Sequence, residues 1–286
     1  LVSWFDDKFH NEVTANLETL RQLPLNVRHG KFQGTAVVCC NELVAFEPGD
    51  TTDACHGVAF DLGTTTVVGV LVDLNSGKDL AVAATVNPQV AAGDDVITRI
   101  LNVREKPEAL SEMHSAIVQA LNDLVTQLTE KTGISRTQIY EVVVTGNTTM
   151  QHIFCGISPT ALGEVPFPPA FNRGLTLSSA EVGMEVHQNG VVFVFPNIGG
   201  FVGGDTVAGI LAATMHVTDK PLILVDIGTN GEIVLAHNGH LLATSTAAGP
   251  AFEGARITNG MRATEGAIEK VVAENGDLAN WMIPAI

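Results

Sequence analysis

Residues 57–73 read GVAFDLGTTTVVGVLVD, and the rest of the chain can be placed from that stretch. An apolar run ends in Asp61-Leu62-Gly63, three threonines follow, and a second apolar run leads away. Run, turn and run predict a strand, a tight turn and a returning strand. Gly63 lets the backbone come close to a ligand. Thr64, Thr65 and Thr66 add hydroxyls to backbone N–H groups at one spot, which suits phosphate oxygens. Asp61 sets a carboxylate beside the turn, as a Mg²⁺-bound nucleotide requires, with the ion held directly or through water. The same letters also make an ordinary hairpin.

The pattern returns later. Residues 222–235 read LILVDIGTNGEIVL, so Asp226, Gly228, Thr229, Asn230 and Gly231 repeat the turn after another buried strand. A further extended segment follows each copy, residues 79–86 after the first and 240–246 after the second. A duplicated three-strand unit with a phosphate turn in each half predicts a two-lobed nucleotide clamp. ATP–Mg²⁺ phosphates are expected between the turns at 63–66 and 228–231, with Asp61 and Asp226 as the metal carboxylates.

Bulk properties narrow the classes. The 286 residues are 45% hydrophobic and 16% charged, enough apolar material for a large core and one two-lobed unit with a small extra piece. A formal charge of −16 argues against nucleic acid or an anionic membrane surface as partner, and no basic cluster offsets it. No apolar run spans a bilayer and no signal-like start is present, so the cytoplasm is the expected location. Cys39, Cys40, Cys55 and Cys155 make no CxxC pair and are read as reduced thiols. Because the chain opens on Leu1 and stops at WMIPAI, it is read as a piece of a longer protein.

In chain order, residues 1–23 show helical spacing, with Trp4, Phe5, Phe9, Val13, Leu17 and Leu20 on one face and Pro24 as the stop. Residues 32–47 read as a hairpin turning at Asn41, and residues 1–55 together as a small α+β linker or cap module. A helix is predicted from Gly93-Asp94-Asp95 through Ile100, with one aspartate either capping it or acting in catalysis. A second covers 107–131, with Leu110, Met113, Ile117, Leu121, Leu124 and Leu128 on its core face. The strand at 141–145 runs into Gly146-Asn147-Thr148-Thr149, where a helix N-terminus could take an anion or Asn147 could simply cap it. His152 on that helix reads as a packed histidine.

The excursion at 159–173 carries four prolines and is a candidate docking surface. A strand at 191–195 then leads through PNIGGFVGGD to a helix expected over 206–215. Asp205 stands at its start, as an N-cap or as the group that orients or deprotonates an attacking water or hydroxyl. Ala248–Gly254 should open a helix in which Glu253 either reaches magnesium through water or stabilises the helix dipole. A strand is expected over 269–273.

FDLGTTT and VDIGTNGE resemble the two phosphate motifs of the acetate and sugar kinase/Hsp70/actin superfamily. FDLGTTTVVGVLVDL, NPQVAAGDDVITRI, VTGNTTMQHIFCGI, PNIGGFVGGDT and AAGPAFEGARI further resemble the nucleotide-binding half of reductive activators of corrinoid proteins, over roughly 48–271. That resemblance implies an α/β fold of duplicated RNase H-like (actin-like ATPase) lobes behind the 1–55 module. The first lobe would run over about 56–215, and an incomplete second lobe from about 220. It implies ATP and Mg²⁺ as cofactors, a corrinoid protein and an upstream electron donor as partners, and ATP-dependent return of Co(II) corrinoid to Co(I). It places Asp205 with Asp61 and Asp226 in catalysis, and Asn147 and Thr148 at the phosphates; a homodimer is one assembly it leaves open.

Two family features have no counterpart here. No late Gly-Gly-x-Gly-type segment closes an adenosine pocket, and no C-x₄-C-x₂-C run provides a [2Fe–2S] cluster, which is therefore expected in the full-length protein and not in this chain. A small-molecule kinase of the same superfamily and a non-catalytic nucleotide-responsive module are the alternative readings.

Overall fold

The computed structural model describes residues 13–228, 230–246, 258, 268–274 and 277–282. They form one compact unit through Ala208 and a second from Gly209.

Asn16 decides where the first helix begins. Its side chain accepts from the Thr19 N–H at 2.8 Å, capping α1 (Leu17–His29), which follows the short β1 (Thr14–Ala15). Pro24, the expected stop, instead lies inside the helix. A proline removes one backbone hydrogen bond. The Asn16 cap, Glu18 in the first turn and Arg28 and His29 in the last hold the remaining turns. Leu17 and Leu20 are exposed, so the expected apolar face is not the packed one; Thr19 is buried, its hydroxyl donating to the Val44 carbonyl. Trp4, Phe5 and Phe9 lie outside the described residues. β2 (Gly34–Cys39) and β3 (Glu42–Pro48) pair antiparallel, and the turn between them, Cys40-Asn41, has both φ angles positive, at 49° and 65°. The Tyr140 hydroxyl donates to Glu47 at 2.7 Å, joining this small sheet to the larger one.

The larger sheet contains β4 (His56–Leu62), β5 (Thr66–Asp73), β6 (Lys78–Val86), β7 (Ile139–Gly146), β8 (Leu175–Ser178) and β9 (Val191–Val194), in the order β6-β5-β4-β7-β9-β8. Val58, Phe60 and Leu62 alternate onto one face with Val142, Val144, Val192 and Val194, all buried. Against them pack α2 (Val96–Glu105) and α3 (Glu108–Thr132). Met113, Ile117, Leu121, Leu124 and Leu128 of α3 are buried, each contributing about 1.5–3 kcal/mol by leaving water. Gly133, at φ 73°, ends α3 in the left-handed region. Asp95 is a cap: its carboxylate accepts from the Thr98 N–H, and α2 runs past Ile100 to Glu105.

β4, β7 and β9 are mutually parallel, with Leu62 opposite Gly146 and Val144 opposite Val194. Their carboxyl ends therefore share one edge, the edge at which open α/β sheets bind ligands. The β4–β5 turn, the start of α4 (Thr148–Phe154) and the segment leading to α5 (Gly204–Ala212) all leave from it. The sequence places the last helix at 206–215; it begins two residues earlier, and Met215 falls in a separate 3₁₀ turn after Thr214, whose φ is 51°.

In the second unit, β10 (Leu222–Ile227), β11 (Gly231–His237) and β12 (His240–Thr246) form an antiparallel meander. Val234, Ala236, Ile210 and Met215 are its buried apolar residues. β13 (Ile268–Glu274) and β14 (Asp277–Met282) form a hairpin, of which β13 covers the expected strand. Ala248–Gly254, with Glu253, lies outside the described residues. No helix among the described residues is long and apolar enough to cross a membrane.

Candidate functional site

The turn between β4 and β5 is tied down from behind, one carbonyl at a time. Asn87 Nδ2 donates to the Gly63 carbonyl at 2.8 Å, Arg99 Nη2 to the Thr64 carbonyl at 2.6 Å, and the Asn87 N–H to the Thr65 carbonyl at 2.8 Å. In a trans peptide the next residue's N–H points opposite to the carbonyl. Three anchored carbonyls thus aim the N–H groups of Thr64, Thr65 and Thr66 to the other side, an arrangement that takes anions. A Cβ on Gly63 would meet the Thr66 carbonyl at 2.4 Å, so the turn closes this tightly only around glycine. Thr64 is buried, Thr65 half-buried and Thr66 exposed. Asp61 is exposed at the end of β4, and so is not enclosed by apolar packing.

Asn147 links this turn to the next loop. Its Oδ1 accepts from the Met150 N–H at 3.0 Å, capping α4, while its Nδ2 donates to Thr64 Oγ1 at 3.0 Å. A single amide thus caps α4 and ties the 63–66 turn to it. The Thr148 side chain is fully buried and its hydroxyl donates to the Gly199 carbonyl at 2.7 Å, so it fastens the glycine-rich segment. Only its backbone remains to offer a phosphate.

That segment then passes over Asn147. A Cβ on Gly203 would meet Asn147 Cα at 2.5 Å and the Gly146 carbonyl at 2.6 Å. The Gly204 N–H donates to Gln151 Oε1 at 3.2 Å, and Gln151 Nε2 donates to the Phe195 carbonyl at 2.7 Å. Asp205 follows directly, half-buried in the first turn of α5 and not at its cap, with Oδ1 accepting from the Thr206 N–H at 2.7 Å. The first unit therefore gathers the 63–66 turn, Asn147 and Asp205 at one sheet edge. In the second unit Asp226 is exposed, Asn230 and Gly228 are half-buried and Gly231 is buried beside the β10–β11 turn; Thr229 lies outside the described residues.

Three residues that the motifs did not single out belong to this region. Asn87 and Arg99 hold the turn. Asn197, in the glycine-rich segment, is 3% exposed, and neither amide atom has a partner. An unpaired buried amide costs about 1–3 kcal/mol per group unless something polar reaches it. His152 is a packed histidine, as read: buried, accepting at Nε2 from the Ala170 N–H at 2.9 Å and placing Nδ1 2.7 Å from the Thr148 carbonyl. Those partners select the neutral ring with its proton on Nδ1, and burial lowers its pKa. Phe171 stacks on it at 5.0 Å, so His152 anchors the proline-rich excursion to α4.

The four thiols are free, and burial pushes Cys155 up to about 12. Among the described residues no three His, Cys, Asp or Glu side chains are grouped to hold a metal ion. Magnesium asks for only one or two carboxylates, with phosphates and water completing its shell, and the exposed Asp61 beside the 63–66 turn fits it.

Comparison with known proteins gives a consistent result. Residues 56–218 match the family model for the RACo middle region, and residues 220–284 match that for the C-terminal domain of RACo, the ASKHA domain. The corrinoid activation enzyme RamQ of Eubacterium limosum is 40% identical over 248 residues, covering 86% of this chain and 42% of that protein. The [Co(II) methylated amine-specific corrinoid protein] reductase of Methanosarcina barkeri is 24% identical over 233 residues, 77% of this chain and 41% of the relative. A solved reductive activator for corrinoid, iron-sulfur protein superposes with a TM-score of 0.87 at 35% identity, over 98% of this chain and 45% of that one. The chain thus spans less than half the length of the relatives it matches.

Proposed function

This chain belongs to the RACo family of reductive activators for corrinoid proteins, and we propose that it is the nucleotide-handling part of an enzyme that uses ATP to return a corrinoid's cobalt from Co(II) to Co(I). The names of its relatives support the reaction class. The observation that carries the nucleotide assignment is the tethered turn, whose three carbonyls are held back so that the N–H groups of Thr64, Thr65 and Thr66 face the other way.

In this scheme the 63–66 turn binds phosphate oxygens through those N–H groups, with the hydroxyls of Thr65 and Thr66 in reach. Asn147 keeps Thr64 in place. In the second unit Gly228, Thr229, Asn230 and Gly231 do the corresponding work. In the first unit Asp61 would hold Mg²⁺, directly or through water, and Asp226 has the corresponding place in the second; the ion would offset charge on the phosphate oxygens. Asp205 orients the attacking water and accepts its proton at a carboxylate oxygen, so that ATP is hydrolysed to ADP and phosphate. An upstream donor supplies the electron and the corrinoid protein receives it; a [2Fe–2S] cluster, where the complete protein carries one, would supply the relay between them. Nucleotide turnover drives the exchange if ATP favours the state in which bound cobalt is easier to reduce. The location is cytoplasmic.

The test uses the complete encoded protein with a chemical reductant and a Co(II) corrinoid protein, reading corrinoid absorbance with and without ATP–Mg²⁺. Formation of Co(I) only with ATP is expected. Reduction at the same rate without ATP, or phosphorylation of a small metabolite with no cobalt signal, contradicts the proposal.

A further inference from the structure

Arg99 is the charged side chain that neither the motifs nor the proposed chemistry uses. It sits on the buried stripe of α2, Val96-Arg99-Ile100-Val103, and is 0% exposed. Beyond the Thr64 carbonyl, its guanidinium donates to the Gly93 carbonyl at 2.9 Å, to Gln89 Oε1 at 3.2 Å and toward the Met150 sulfur at 3.0 Å. Every one of these acceptors is neutral. None of the three ion pairs among the described residues includes it. Burial lowers its pKa to about 10, with Asp95 and Asp94 acting in the other direction, so it remains a cation at neutral pH.

A buried cation is ordinarily paired, because removing it from water costs more than neutral acceptors return. Here no carboxylate touches the charge, Asp95 and Asp94 acting on it from further off, and it lies directly behind the 63–66 turn, whose N–H groups face away from it. The Thr64 peptide joins the two sides: a guanidinium on its carbonyl polarises it and makes the following N–H, that of Thr65, a stronger donor. Resting on the nucleotide reading above, we propose that Arg99 is a positioning residue whose buried charge is balanced by the nucleotide phosphates held on the far side of the Thr64–Thr66 turn. It touches the turn and not the ligand. Asn87 supplies the neutral half of the same brace.

The charge and the tether separate by substitution. Arg99→Gln keeps a donor for a backbone carbonyl but removes the charge; Arg99→Lys keeps the charge but loses the fork. ATP–Mg²⁺ affinity of the complete protein is measured by calorimetry, with a melting curve for each variant. Arg99→Gln should bind at least tenfold more weakly and Arg99→Lys within about threefold of wild type. Equal losses in the two variants, or no loss in either, overturn the proposal. Should Arg99→Gln fail to fold, Arg99→Lys decides alone: a loss above tenfold in a natively melting protein overturns the role of charge. Wild-type protein that binds no ATP–Mg²⁺ defeats the nucleotide reading and this inference together, whereas wild-type binding that Arg99→Gln leaves intact defeats this inference alone.

Discussion

Asn147 and Thr64 lie 83 positions apart in sequence, and Asn147 Nδ2 donates to Thr64 Oγ1 across 3.0 Å. One side chain thereby fixes both the start of α4 and the 63–66 turn. Asparagine and aspartate cap helices about equally, but only asparagine can donate to Thr64. Asn147→Asp is therefore expected to melt close to wild type while ATP–Mg²⁺ affinity falls at least tenfold, because the variant loses the donor and adds negative charge beside the phosphates. Asn147→Ala should lose stability by roughly 1 kcal/mol as well. Calorimetric binding beside thermal melting reads both; an Asn147→Asp protein that binds ATP normally would confine the residue to capping.

Asp205 divides function from structure in a second way. Its contact with the Thr206 N–H can be kept by an asparagine Oδ1, so Asp205→Asn should fold normally. If the carboxylate acts on the attacking water, ATP turnover should fall ~10²–10⁴-fold with nucleotide affinity nearly intact, since the interaction is made in the transition state. Steady-state ATPase assays on the complete protein decide it, and unchanged turnover assigns Asp205 to the helix alone.

Gly203 tests how closely the two loops must approach. The atoms that an added Cβ would meet are backbone atoms of Gly146 and Asn147, which cannot swing aside as a flexible side chain would. Gly203→Ala should destabilise by about 1–3 kcal/mol and displace Asn147 or Asp205. A variant with native melting and native turnover would show that the segment moves freely.

Much of this was legible in sequence, for a definite reason. The alternation of Val58, Phe60 and Leu62 and the helical stripe from Met113 to Leu128 are local patterns, and the buried residues follow them. The repeated Asp-x-Gly-Thr turns likewise announce themselves. Arg99, Asn87 and Asn197 were missed because their meaning is tertiary: Arg99 reaches the Thr64 carbonyl 35 residues away, and nothing local reveals that. A signal did exist in the placement of an arginine at the i+3 position of an otherwise apolar stripe. Pro24 failed as a helix stop because the Asn16 cap and the ends of α1 outweigh one lost hydrogen bond. The Thr148 hydroxyl is likewise spent on a distant partner, the Gly199 carbonyl, which nothing local in the sequence reveals.

His152 makes stability depend on pH in a stated direction. The folded ring is held neutral and burial lowers its pKa, while in the unfolded chain a histidine takes up a proton near pH 6.5. Below about pH 6.5 the unfolded state therefore binds more protons, and the stability from this group, complete above that pH, is lost as pH falls toward the folded pKa. Melting temperature should drop on acidification from pH 7.5 to 5.5, and His152→Gln should flatten part of that slope. His187, also lowered by burial, keeps the remainder from vanishing. An identical slope in the variant would mean that His152 is protonated in the folded protein.

If the turn after β4 binds phosphate, its N–H groups must touch the nucleotide. A crystal structure of the complete protein with Mg²⁺ and a non-hydrolysable ATP analogue measures it directly, as the distance from phosphate oxygens to the N–H groups of Thr64, Thr65 and Thr66. Hydrogen-bond distances of about 2.7–3.2 Å to at least two of the three are the predicted result. Phosphates bound elsewhere, with the turn touching only protein and solvent, would contradict the account.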